Sequence, residues 1–384
     1  MPATPDAAAA QRIVDATLAA ARRADRPTFL AQLSPRDPVF RDRARQLFDN
    51  LSGLPLSQLQ ARLLPARYRL SPARQQVLGA DAWVQAVTVS WRLAGDGAAA
   101  DHRVWFTFVP DGADLRVAGL IDRPAGEPAG RQPSWWLGPV QAVRRGPVTV
   151  VVGSGQSAEV WRTSVGRALA QAVRHLPASA GAPENPTLVV EIPATTADFE
   201  RVVGAATGSY AEVAAATLAE GSSARAALRI VVNPVAARRL TADGLQLTLT
   251  HEAVHVLTRS PQSPAPTWAV EGLADWVALQ AYPGSAAGVA APLLRQVAAQ
   301  GPPAALPADA DFEAGAGRLE PAYAQSWFVC RYLASTSPDR LGRLYRELDR
   351  GRTLDQATAT VLGGTAADLT AGWRNYLRAE AGGR

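Results

Sequence analysis

His251, Glu252 and His255 spell H-E-x-x-H within the segment Thr250–Thr258. Residues four apart on an α-helix share a face, so both imidazoles reach one metal ion while Glu252, one position along, holds a water beside it. The chain has only 4 histidines in 384 residues, which makes this spacing around a glutamate uncommon by chance. A catalytic zinc takes three protein ligands and one water, with His nitrogens at about 2.0–2.1 Å, so the two histidines leave one protein ligand to find. Glu271 is the candidate. Asp275 stands one turn further on the same face, where its carboxylate accepts the remaining N–H of a liganding histidine, His251 being the better placed; such a partner fixes the tautomer and raises the ring's basicity. His102 and His175 have no companion motif and read as structural residues.

These residues need two helices to position them. The first starts near Thr241 or Asp243, both suitable N-caps, and ends at the proline-rich loop Ser260–Pro266, which sets both histidines mid-helix. The second is expected over Thr267–Tyr282, folded back antiparallel to the first so that Glu271 meets the metal from the opposite side. Pro283-Gly284 is expected to stop it.

H-E-x-x-H followed by a helix carrying E-x-x-x-D resembles the gluzincin metallopeptidases, and the wording Trp268-Ala269-Val270-Glu271-Gly272-Leu273-Ala274-Asp275-Trp276 is particularly similar to the peptidase MA-like branch. The resemblance covers roughly residues 147–380. It implies one Zn2+ per chain held by His251, His255 and Glu271, with Glu252 as general base and a peptide or protein as substrate. Zinc lowers the pKa of bound water to about 7, Glu252 accepts its proton, and the hydroxide attacks a polarised peptide carbonyl before Glu252 returns the proton to the leaving amine. The resemblance also implies a tyrosine downstream of the glutamate ligand that donates to the oxyanion. Tyr323 is the candidate, with Tyr332 and Tyr282 also available. It implies further that substrate runs along an edge strand before the motif helix, here residues 227–233. Gly181-Ala182-Pro183-Glu184-Asn185 resembles the segment with which zinc aminopeptidases grip a substrate amine, but Pro183 cannot donate to a strand ladder and the segment reads as a turn. An endopeptidase is therefore the expectation.

Upstream, residues 5–24 and Asp37–Phe48 show helical spacing, and Asp81–Leu93 alternates, with Trp83, Gln85, Val87, Val89, Trp91 and Leu93 on one face. Two further runs, 102–109 and 113–122, complete an antiparallel meander. Helices followed by such a sheet resemble a cystatin-like or nuclear-transport-factor-like roll. A Pro- and Gly-rich stretch separates it from alternating strands and helices from Pro147 on. The expected organisation is thus α+β: an accessory or regulatory roll over 1–130, a linker over 131–146 in which Trp135 and Trp136 dock on a neighbour, and a zinc metallopeptidase domain over 147–384, with a small sheet followed by a helical lobe.

Composition narrows the alternatives. Hydrophobic residues make up 47% of the chain, enough for buried cores in two domains. The net charge of +5 comes from arginine without any lysine, in separated pairs such as Arg22-Arg23, Arg144-Arg145 and Arg238-Arg239. No basic run of the kind that binds nucleic acid is present, and nucleic acid is not an expected partner. No apolar stretch is long enough for a membrane span, and the opening residues lack a signal-peptide pattern. The compartment and the oligomeric state stay open, with an extracytoplasmic site slightly favoured by analogy with similar peptidases. Cys330 reads as a small core residue, and Trp268, Trp276 and Trp327 as core packing. The rival reading is a noncatalytic zinc-containing module whose N-terminal roll binds a ligand or partner. The intact Glu252 argues against it, because holding a metal does not require that base.

Overall fold

Asp25, Asp37 and Ser71 each accept the backbone N–H three residues on, with proline in the turn that follows, and each starts a helix. The computed structural model describes residues 7–112, 114–127, 130–221, 225–313 and 319–382. Residues 5 and 6 of the first expected helix, Ala113 of the third expected strand, and Pro128 and Ala129 of the Pro- and Gly-rich stretch lie outside the described residues. The chain forms two units, one of Met1–Arg162 with Val189–Ala236, the other of Thr163–Leu188 with Ala237–Arg384.

The first unit opens with α1 (Ala7–Arg22), α2 (Arg26–Ala31) and α3 (Pro38–Gly53), followed by β1 (Leu56–Arg69), α4 (Pro72–Leu78), β2 (Trp83–Leu93), β3 (Ala100–Asp111) and β4 (Asp114–Gly119). Its first sheet is an antiparallel meander in the order β1-β2-β3-β4. The α+β class expected from the sequence is what forms. No clean alternation announces β1, because its polar and apolar residues are mixed and Pro65 interrupts it. That proline falls where the ladder with β2 shifts register between Leu63 and Arg67, a position that needs no amide donor. In β2 the alternation holds from Val87 to Leu93. Val84 and Ala86, on the opposite face, are also buried, against Leu70, Leu78, Trp105, Val109 and Ala118, so this end of the sheet is covered on both sides.

The same unit continues with α5 (Ser134–Leu137), β5 (Val140–Arg145), β6 (Val148–Gly153) and the start of α6 (Ala158–His175), which runs on into the second unit. After β7 (Leu188–Ile192) come α7 (Thr196–Val203), β8 (Ala215–Glu220), β9 (Ala227–Val232) and α8 (Pro234–Ala237). The second sheet has the order β5-β6-β7-β9-β8. The stretch 131–146 carries a helix and a strand, with Trp135 and Trp136 buried among Trp91 and Phe106. One expectation is overturned: residues 227–233 do not form an edge strand. β9 pairs parallel to β7 and antiparallel to β8, and all its side chains are buried, so its backbone groups are already engaged on both sides.

Arg229 on β9 is fully buried and is balanced by Asp96 at 2.6 Å and Glu191 at 2.7 Å, with its guanidinium 3.7 Å from the centre of the Trp91 ring. The Trp91 indole N–H donates to His102 Nδ1 at 3.0 Å. Indole nitrogen only donates, so the ring proton of His102 sits on Nε2, facing Glu220 at 3.3 Å. Glu220 also pairs with Arg131 at 2.8 Å.

The second unit is helical. It holds the rest of α6, then α9 (Ala242–Thr258), α10 (Thr267–Ala281), α11 (Pro283–Gln300), α12 (Leu319–Ala334), α13 (Pro338–Asp349), α14 (Leu354–Leu362) and α15 (Ala366–Gly382). α10 packs against both α9 and α12 and is buried almost all round, through Trp268, Leu273, Trp276, Val277 and Leu279. Each such large apolar side chain contributes about 1.5–3 kcal/mol when fully buried. Trp327 and Cys330 of α12 are buried in the same unit. Pro283-Gly284 does end the preceding helix, yet Pro283 also opens α11, since proline lacks only an N–H that the first helical turn leaves unpaired. No helix among the described residues is long and apolar enough to cross a membrane.

Candidate metal centre

α9 begins at Thr241, whose hydroxyl accepts from the Gly244 N–H, and its apolar positions Leu249, Ala253, Val254 and Leu257 are buried. The opposite side of the same turns carries His251 and His255. α9 ends at Arg259, a non-glycine residue in the left-handed region (φ 54°, ψ 32°) whose N–H returns to the His255 and Val256 carbonyls. α10 begins after Pro266 without a side-chain cap of its own. Asp309 supplies the acceptor from a distance, taking the Thr267 N–H at 2.8 Å.

This pair of helices brings His251, His255 and Glu271 together. His251 Nε2 lies 2.9 Å from His255 Nε2 and 3.1 Å from Glu271 Oε2, and His255 Nε2 lies 3.5 Å from the same oxygen. All three ligand atoms fall within 4.8 Å of one another, the one group of its kind among the described residues. Donors at about 2.0–2.1 Å in a tetrahedron stand about 3.3 Å apart, and the three observed separations bracket that value. Asp275 Oδ1 lies 2.8 Å from His251 Nδ1. The pairing of residue 255 with 271 and of 251 with 275 runs in opposite directions along the two helices, as antiparallel packing requires.

The electrostatics follow from burial and neighbours. Burial alone would lower the pKa of His251, but Asp275 and Glu271 outweigh it and raise it well above the usual histidine value. Burial would raise Glu271, whereas His255 and His251 together hold it far below the ordinary carboxylate range. His251 Nδ1 is directed at Asp275 and His255 Nδ1 at Ser260, which turns both Nε2 atoms and one Glu271 oxygen toward a common centre. That donor set fits a divalent cation, and its mixed nitrogen and oxygen character suits zinc.

Glu252 is buried, at 7% exposure, on the turn that carries the two histidines. Tyr323 on α12 stands with its ring centre 6.3 Å from that of His251 and 5.4 Å from that of Phe312. Its burial, then the charges of Glu271, Asp275 and Glu252 and a hydrogen bond to Glu271, push its hydroxyl pKa far up, so the phenol keeps its proton. The other two tyrosines are held elsewhere. Tyr282 reaches Gln246 at 3.4 Å, and Tyr332 packs on Tyr376 of α15.

Two residues in this region take places that the two motifs do not specify. Ser260 Oγ lies 2.7 Å from His255 Nδ1. Gly272, directly after Glu271, sits where an added Cβ would be 2.5 Å from the Ser326 carbonyl oxygen and 2.8 Å from Cys330 Sγ. Only a glycine lets α10 approach α12 this closely. The one available hint was the word Glu-Gly-Leu-Ala-Asp, in which a glycine interrupts an otherwise apolar helix.

Residues 219–379 match the family model of the Peptidase MA superfamily. The match spans every residue of the cluster and agrees with the MA-like resemblance of its two helices. A domain of this superfamily suggests a metallopeptidase-like function for this part of the chain. No curated protein matches the chain.

Proposed function

We propose that the protein is a zinc-dependent endopeptidase acting on peptide or protein substrates, with His251, His255 and Glu271 as ligands and Glu252 as general base. The observation that carries this reading is the convergence of the three ligand atoms within 4.8 Å beside a buried glutamate. Bound there, zinc supplies Lewis acidity and brings the pKa of a water to about 7. Glu252 takes the proton of the attacking water and delivers it to the departing amine. Tyr323, kept protonated by its surroundings, donates to the developing oxyanion. Asp275 holds His251 in the tautomer that leaves Nε2 free. The endopeptidase assignment is favoured over an aminopeptidase because Gly181 closes a short turn in the left-handed region, φ 90°, and Gly181–Asn185 belongs to no strand or helix. In this reading residues 147–384 are the peptidase domain, 131–146 join it to the rest, and 1–130 modulate access or bind a partner.

The test is Glu252→Gln. Zinc content by elemental analysis stays at the wild-type level, while hydrolysis of an unstructured protein such as casein falls by at least ~10²-fold. Equal activity in both forms would sink the peptidase reading, and a wild type that holds zinc without hydrolysing anything would favour the noncatalytic module.

A further inference from the structure

We propose that Ser260 is the positioning residue of His255, holding that ring in the tautomer and orientation that present Nε2 to the metal. The inference rests on the metal reading above and extends it to a residue outside the H-E-x-x-H and E-x-x-x-D patterns.

The two histidines are held unequally. His251 has a carboxylate behind it, Asp275 at 2.8 Å, whereas behind His255 stands the neutral hydroxyl of Ser260 at 2.7 Å. A neutral imidazole has one ring proton to place. When Nδ1–H is donated to Ser260 Oγ, Nε2 keeps its lone pair, and that atom is the one directed at His251 Nε2 and Glu271 Oε2. Without the hydroxyl, Nδ1 would be a buried donor lacking an acceptor. The proton would then favour Nε2, where two acceptors wait and where it would block coordination.

The backbone points the same way. Ser260 is five residues beyond His255, so an uninterrupted helix would carry it past the ring. Arg259 turns the chain through the left-handed region, and Ser260 returns to a buried position, 7% exposed, beside the imidazole. A non-glycine residue in that conformation is strained, and strain of this kind persists where the surrounding structure requires the turn.

The experiment compares full-length wild type with Ser260→Ala and Ser260→Thr. Zinc affinity is measured by competition with a chromogenic chelator, the Co2+-substituted proteins are compared by visible absorption, and the metal-free proteins by thermal melting. Ser260→Ala is expected to bind zinc about 10-fold more weakly and to shift the Co2+ band, with metal-free melting unchanged. Ser260→Thr restores both. If wild type binds one zinc and Ser260→Ala binds it equally tightly, the Ser260 inference is overturned and the metal site stands. A lowered metal-free melting temperature in Ser260→Ala that Ser260→Thr does not repair makes the residue a packing element and also overturns it. A wild type that binds no zinc removes both readings.

Discussion

At the scale of single residues, each side chain of the candidate centre is defined by what stands behind it as much as by what it faces. His251 and His255 are chemically identical, yet Asp275 backs one and Ser260 the other. Tyr323 differs from Tyr282 and Tyr332 only in its surroundings, which set its ring against that of His251 and push its hydroxyl pKa far up. Tyr323→Phe is expected to lower kcat by about 10²–10³-fold while KM holds, because the hydrogen bond to the oxyanion forms only as that charge develops. Steady-state kinetics with an internally quenched peptide would show this, and an unchanged kcat would return the hydroxyl to a packing role. The histidine pair and its two carboxylates were legible in the sequence because helix periodicity is local. Ser260 was not, because its approach to His255 depends on the left-handed turn at Arg259, which no sequence period encodes.

At the scale of elements, the geometry depends on how closely α10 lies on its neighbours. Glu271 and Asp275 occupy successive turns of α10, and Gly272 between them touches the backbone of α12 at Ser326. Gly272→Ala should therefore destabilise the second unit by about 1–3 kcal/mol through overpacking, even though alanine is the better helix former. A parallel loss of zinc affinity is expected, since relief of the clash moves Glu271. Urea denaturation read by tryptophan fluorescence checks the first effect and chelator competition the second; a stabilised variant would mean that α12 yields freely. The ends of both site helices also differ in kind. Thr241 caps α9 from the adjacent sequence and was visible there, whereas the cap of α10 comes from Asp309, 42 residues beyond Thr267.

At the scale of the whole molecule, the chain divides into two units. The first buries a charged network around Arg229, and within it Glu220 is held at a pKa of about 2 against a usual 4.5: burial acts to raise it, and His102, Arg229 and Arg131 overcome that. A carboxyl depressed in the folded state stabilises fully above its unfolded pKa and loses that contribution as pH falls toward the folded value. Acidification from about pH 4.5 to pH 2 should then remove roughly 3 kcal/mol, and Glu220→Gln should flatten this part of the profile. Melting temperatures of wild type and variant across that range would show it, and parallel profiles would assign the acid sensitivity to other groups. The sequence by itself determined the class of fold, the α9 and α10 helices and the spacing that sets His251, His255, Glu271 and Asp275 on facing turns, because each follows from periodicity and capping within a few residues. Only the tertiary structure decided that β9 lies inside its sheet, that β1, β5 and β8 are strands, and that Ser260, Gly272 and Asp309 shape the centre. Their roles come from contacts with residues distant in the chain or from a single backbone reversal, and neither leaves a repeating pattern to read.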